Sequence, residues 1–243
     1  MLRNLLRRPV RTILTMLGIA IGVAAVVSLG AMADGFMRNY NSAVGVESDI
    51  LVSQADAYDV LFSIIDESFQ ERIQAVPGVE RVEPGVYTWI ATGEMPFFLL
   101  FGYEPGSAAL RHYRIVEGKP VTAPKQIAIG RRAADSLKKK VGDNLRLYGT
   151  PYQVVGIYET GQGMEESGGT VTLADAQSIV KNPRKVSLFQ VGLRRGTDAQ
   201  QVLQRIENID KTLTATRASE YEGNESYTAM VQGMAWGIAA IAV

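Results

Sequence analysis

The chain has 243 residues, with 25 basic and 25 acidic side chains, one histidine and no cysteine. The lack of Cys excludes a disulfide framework and a thiol nucleophile, and a chain without a basic stripe is a poor candidate for nucleic-acid binding. The even balance hides an asymmetry: residues 1–33 hold four arginines and no acid, leaving 21 basic against 25 acidic side chains beyond them.

Those arginines, Arg3, Arg7, Arg8 and Arg11, make residues 1–11 a basic N-terminus that stays in the cytoplasm, because loops rich in Lys and Arg remain inside. Thr12 to Ala33 then form 22 positions without a charge. At about 1.5 Å per residue they reach about 33 Å, which predicts a transmembrane helix over 12–33. Ala31-Met32-Ala33 has the small-x-small form of a signal peptidase site. The run exceeds the ~7–15 residues of a signal core, so an uncleaved anchor is expected. Gly18 and Gly22, followed by Ala25 and Leu29, put small residues on one helical face, and Gly233 and Gly237 repeat the device near the C-terminus. These positions are expected to pack closely on each other or on a second copy.

Phe36, Met37, Tyr40 and Val44 recur at helical spacing, so residues 34–47 read as a stalk that prolongs the anchor. A strand is predicted at 49–53. Ile65, Phe69, Ile73 and Val76 predict a helix ended by Pro77-Gly78. Residues 79–92 and 95–103 read as strands joined around Gly93. In the second, Phe97, Leu99 and Phe101 share one face, and Phe98 and Leu100 the other. A strand buried on both faces explains this pattern; the functional alternative is an exposed apolar groove, with Phe97, Phe98 and Phe101 as a substrate or partner surface.

A short strand at 126–129 precedes a helix marked by Ala133, Ala134 and Leu137, with Lys138, Lys139 and Lys140 placed in its last turn to complement the dipole. A hairpin follows, with strands at 144–148 and 152–158 around Gly149-Thr150-Pro151. Residues 161–169 hold Gly161, Gly163, Gly168 and Gly169 without the Lys-Ser/Thr of a phosphate cradle, and read as a mobile loop. Then come a strand at 170–173, a helix at 175–180 and a strand at 186–194. Thr197 opens a helix as a capping box with Gln200, ahead of Val202, Leu203 and Ile206. A strand at 213–217 closes an extracytoplasmic domain of residues 48–218, of α+β class with a mixed sheet. Residues 219–229 return to the membrane, and the apolar run 230–243 reads as the start of a second, truncated transmembrane helix, so the sequence is taken for a fragment.

Catalytic chemistry finds little support. His112 stands without a Cys or a second His, which leaves no zinc set. No Gly-x-Ser-x-Gly elbow occurs. Asp66, Glu67 and Glu71 lie near Arg72 and suit a solvated helix face. No catalytic residue, metal site or cofactor is assigned.

Arg7 to Ala24 resembles the first transmembrane helix of FtsX-like, MacB-type ABC transporter permeases. The phrases 76–82, 126–130, 142–147, 154–157 and 173–177 are similar to the periplasmic core domain of that family, in the expected order. The resemblance implies four transmembrane helices, a large domain outside between the first two, and a homo- or heterodimer bound to a partner ABC ATPase that holds the ATP. A periplasmic adaptor or envelope protein and membrane lipid are further implied partners. Export of peptides, antibiotics or lipoproteins, or control of cell-wall enzymes, would follow. Two other readings stand beside it: a membrane-anchored ligand-binding or sensing module, and a secreted enzyme.

Overall fold

The computed structural model describes residues 9–44, 48–57, 59–93, 95–221 and 233. The chain divides into two units, one of residues 1–38 with 223–243, the other of residues 39–222. The predicted segments 219–229 and 230–243 lie almost wholly outside the described residues.

One helix, α1 (Pro9–Val44), runs unbroken for 36 residues. Ile13, Leu14, Leu17, Ile19, Ile21 and Val27 are each more than half exposed, and no polar face opposes them. A helix on the surface of a soluble core carries one apolar stripe instead. Among the described residues, no helix is long and apolar enough to cross a membrane.

The second unit is built on one mixed sheet. Its strands are β1 (Ile50–Gln54), β3 (Val79–Ile90), β4 (Phe98–Tyr103), β5 (Arg114–Gly118), β6 (Gln126–Gly130), β7 (Asn144–Leu147), β8 (Thr150–Glu159), β9 (Gly169–Thr172), β11 (Leu188–Leu193) and β12 (Leu213–Arg217). They lie in the order β12-β1-β11-β3-β4-β9-β6-β8-β5, with β7 also on β8. The pairs β4·β9 and β6·β8 are parallel and the rest antiparallel. A two-stranded ribbon of β2 (Ile65–Asp66) and β10 (Lys185–Val186) stands apart.

The helices α2 (Phe69–Gln74), α3 (Arg131–Leu137), α4 (Leu173–Ile179) and α5 (Ala199–Glu207) are short. Ile73, Ala133, Leu137, Ala176, Val202 and Ile206 from them are buried in one cluster with Phe98, Leu100, Ile127 and Ile129 of the sheet. The other face buries Tyr87, Leu99, Phe101, Tyr103, Tyr113 and Tyr158. Both faces of β4 are thus covered, which its unbroken apolar run requires.

The long strand β3 changes neighbours along its length. Residues 79–85 pair with β11, residues 85–90 pair with β4, and Gly85 alone belongs to both ladders. Among the described residues, each half of β3 therefore leaves one edge without a strand beside it.

Several predicted elements differ in detail. Ile65 lies in β2 rather than at the start of a helix, and α2 begins only at Phe69, because the Lys185 ammonium and Ser68 hold Asp66 in the ribbon. The hairpin turn is Tyr148-Gly149, both at positive φ, starting one residue earlier than expected and ending two earlier. Lys138 takes the left-handed position that ends α3, so the three lysines follow the last turn instead of filling it. Asp198, not Thr197, caps α5 by accepting from the Gln200 amide.

Candidate functional site

The most polar interior of the second unit surrounds Glu165. This residue sits in a single 3-10 turn, Glu165–Ser167, between β8 and β9, and its side chain is 0% exposed. Its Oε2 lies 2.8 Å from Nε2 of His112, the last residue of another 3-10 turn, Ala108–His112. Its Oε1 is buried without a hydrogen-bond partner among the described residues, while its backbone carbonyl accepts the Tyr158 hydroxyl at 2.7 Å.

A chain of tyrosines continues from there. Tyr113 meets Tyr158 edge-on at 4.9 Å and shares a 3.3 Å hydroxyl contact with Tyr103, which shares one of 2.7 Å with Tyr87. Gln190 Nε2 donates to the Tyr87 hydroxyl at 3.2 Å. Burial raises Tyr103, Tyr113 and Tyr158 well above the ordinary phenol range, and the Glu165 charge adds to it. These groups remain neutral hydrogen-bonding partners at physiological pH. Among the described residues, no group of three or more His, Asp or Glu is placed to hold a metal ion.

A second polar knot ties β6 to α4. Asp175, almost wholly buried, accepts from the Lys125 amide at 2.8 Å and the Thr172 hydroxyl at 2.9 Å, with Lys125 Nζ at 3.2 Å. Each donor neutralises part of a charge that burial would otherwise penalise.

The segment 161–169 is a correction to the sequence reading. Gly161 is open, at φ +78°, but Gly168 and Gly169 are core positions rather than parts of a mobile loop. A Cβ on Gly168 would overlap the Leu99 carbonyl, and one on Gly169 would stand 2.9 Å from the Ala128 carbonyl. On Gly163 it would press on the Arg132 guanidinium at 2.5 Å. Gly168 and Gly169 are there for close backbone approach, and composition alone does not separate that use from looseness.

The aromatic surface is also corrected. Phe98 is buried between sheet and helices and Phe101 among the tyrosines of the opposite face, and of the three only Phe97 is exposed, at 72%, meeting Trp89 edge-on at 6.4 Å. In α1, a Cβ on Gly18 would meet nothing within 4 Å, and Ala25 is exposed. The same open space surrounds Gly233, while Gly237 lies outside the described residues. The Glu165 site was missed because its partners stand 53 residues apart. The one signal in the sequence was a lone histidine.

Comparison with known proteins places this architecture. Residues 12–209 match the family model of the MacB-like periplasmic core domain. An uncharacterized ABC transporter permease of Methanocaldococcus jannaschii is 23% identical over 231 residues, covering 86% of this chain and 56% of that protein. The macrolide export ATP-binding/permease protein MacB of Rhodopirellula baltica is 27% identical over 216 residues, covering 80% of this chain and 31% of the relative. The chain thus spans about half the length, or less, of these curated relatives.

Among solved structures, the periplasmic region of MacB from Actinobacillus actinomycetemcomitans superposes with a TM-score of 0.57 at 9% identity, covering 73% of this chain and 92% of that one. The extracellular domain of the noncanonic ABC-type transporter YknZ from Gram-positive bacteria gives 0.53 at 14%, covering 70% and 100%. These likenesses fix a mixed α+β fold. With most of its length matched by one family and its sheet shared with two such domains, the chain belongs to the MacB-like periplasmic core domain family of ABC transporter permeases.

Proposed function

We propose that the chain is part of the permease subunit of an ABC-type exporter or mechanotransmission complex. In this reading residues 12–33 cross the membrane with residues 1–11 in the cytoplasm, and the sheet domain stands outside. ATP is bound and hydrolysed by a partner ATPase, and a second permease copy completes the unit. The work is delivered to a peptide, lipoprotein, antibiotic or envelope substrate, with an adaptor outside as a further partner.

The observation that carries this reading is the unbroken helix Pro9–Val44, which holds the uncharged run 12–33 and exposes apolar side chains on all sides. Such a helix is stable in lipid and unfavourable in water. The relatives support the ATPase coupling, since one is named an ABC transporter permease and another an ATP-binding/permease protein.

The full-length protein, reconstituted in nanodiscs with its ATPase, tests the proposal. Spin labels on α1 and on the sheet domain should change their separation between the apo and ATP-trapped states, and Gly22→Leu should uncouple ATP hydrolysis from that change by spoiling close helix packing. An unchanged separation in all nucleotide states would sink the coupling. Unchanged behaviour of Gly22→Leu would remove the packing role alone.

A further inference from the structure

The two unpaired half-edges of β3 are treated differently. Along residues 79–84 the free carbonyls are closed by α2: Gln74 Nε2 donates to the Glu80 carbonyl and Gln70 Nε2 to that of Val82, both at 3.2 Å. Along residues 86–90, β10 peels away from β3 and one side chain fills in. The Ser187 hydroxyl accepts from the Tyr87 amide at 3.0 Å and donates to the Tyr87 carbonyl at 3.1 Å. By the alternation of a strand, Trp89 turns its amide and carbonyl to that same side, where no strand lies among the described residues; the carbonyl accepts a long hydrogen bond from the Thr88 hydroxyl at 3.4 Å.

The opening so formed is a wedge of about 230 Å³. Val86, Tyr87 and Thr88 make one wall, and Phe62 and Ile64 rise on the other. Both of these apolar side chains face solvent, at 67% and 53% exposure. The third side is lined by Val180, Asn182 and Lys185 of the turn 180–185, whose remaining residues flank the wedge rather than line it. The turn carries Lys181 and Arg184, both exposed and both at φ 57°. Lys185 is matched by Asp66 at 2.9 Å, whereas Lys181 and Arg184 are in no ion pair among the described residues.

We propose that this wedge is a docking site for an extended peptide segment of a partner protein, apolar in its centre and acidic at its end. The peptide adds to the open half-edge of β3 through Trp89, seats an apolar side chain against Phe62 and Ile64, and brings its carboxylate to Lys181 and Arg184. Main-chain hydrogen bonds give such strand addition its affinity, and the side-chain pocket gives its selectivity. The charge pattern selects an acidic occupant. The site stands whether or not the ATPase coupling holds, because it is a property of the sheet domain.

The test uses the full chain in nanodiscs and fluorescence anisotropy with the labelled peptide Asp-Asp-Val-Ile-Val-Ile-Val-Asp-Asp. It should bind about ten-fold more tightly than the same peptide flanked by lysines, and N-methylation of alternate residues in one of the two registers should abolish binding. Ile64→Glu, and Lys181→Glu with Arg184→Glu, should each weaken binding about ten-fold. Their surface positions leave the fold intact, which circular dichroism verifies. Equal binding of acidic and basic peptides, indifference to N-methylation in both registers, or indifference to Ile64→Glu overturns the proposal. So does a self-associated chain that Ile64→Glu dissolves while the peptide fails to bind, since the occupant is then a second copy.

Discussion

His112 and Glu165, 53 positions apart, meet at 2.8 Å across two single-turn helices, and the carboxylate is wholly shielded from solvent. The histidine is therefore structural, the partner that makes a buried acid tolerable. His112→Leu removes the partner that Oε2 has among the described residues, and breaking such a pair should cost about 3 kcal/mol of unfolding free energy, read from urea denaturation in detergent. The double variant His112→Leu with Glu165→Leu should recover most of that loss, because no uncompensated charge remains. A double variant as unstable as the single one would show that the contact is incidental.

Alkaline pH gives a second prediction. Tyr103, Tyr113 and Tyr158 keep their protons in the fold far above the usual phenol range because they are desolvated. The unfolded chain loses the same protons near pH 10. Their contribution to stability is thus complete below about pH 10 and is lost as pH rises beyond it. In a spectrophotometric titration, at least three of the ten tyrosines should ionise only in step with unfolding.

Asp66 gives the acid counterpart. A hydrogen bond from the Ser68 side chain, followed by one from the Lys185 ammonium, holds its carboxyl well below the ordinary range. Its contribution to the β2·β10 ribbon is present above about pH 4 and is lost as pH falls further toward the folded value. Amide exchange at Lys185 and Val186 should accelerate over that interval, whereas in Asp66→Asn it should already be fast at neutral pH. A flat exchange profile in the parent chain would contradict this.

Two glycines of one segment should respond oppositely to the same change. Gly168→Ala drives a methyl into the Leu99 carbonyl and should destabilise by about 2–3 kcal/mol. Gly161→Ala enters open space and should cost only about 1 kcal/mol, for its positive φ. Thermal denaturation of the two variants side by side measures the difference.

That contrast shows how far the sequence could be read. The paired faces of β4 were legible because a strand covered on both sides has no polar period, and Leu99 and Leu100 indeed enter opposite clusters. Residues 161–169 misled because glycine density looks the same in a slack loop and in a tight crossing of backbones. Asp198 displaced Thr197 as the cap of α5, since adjacent residues of equal capping ability compete on geometry that pattern does not encode. Phe97 differs from Phe98 only by lying one step outside the ladder with β3, a boundary that residue type does not mark.

Gly85 has a mechanical consequence. Because β3 is shared end to end rather than side to side, the ladder of β12, β1 and β11 is joined to that of β4 along the covalent main chain of β3, with Gly85 the one residue in both ladders. Hydrogen-bonded ladders yield by unzipping, whereas a stretched backbone of fixed bond lengths gives almost nothing. The two flanks thus meet at a position without a side chain, where main-chain geometry alone joins one ladder to the next.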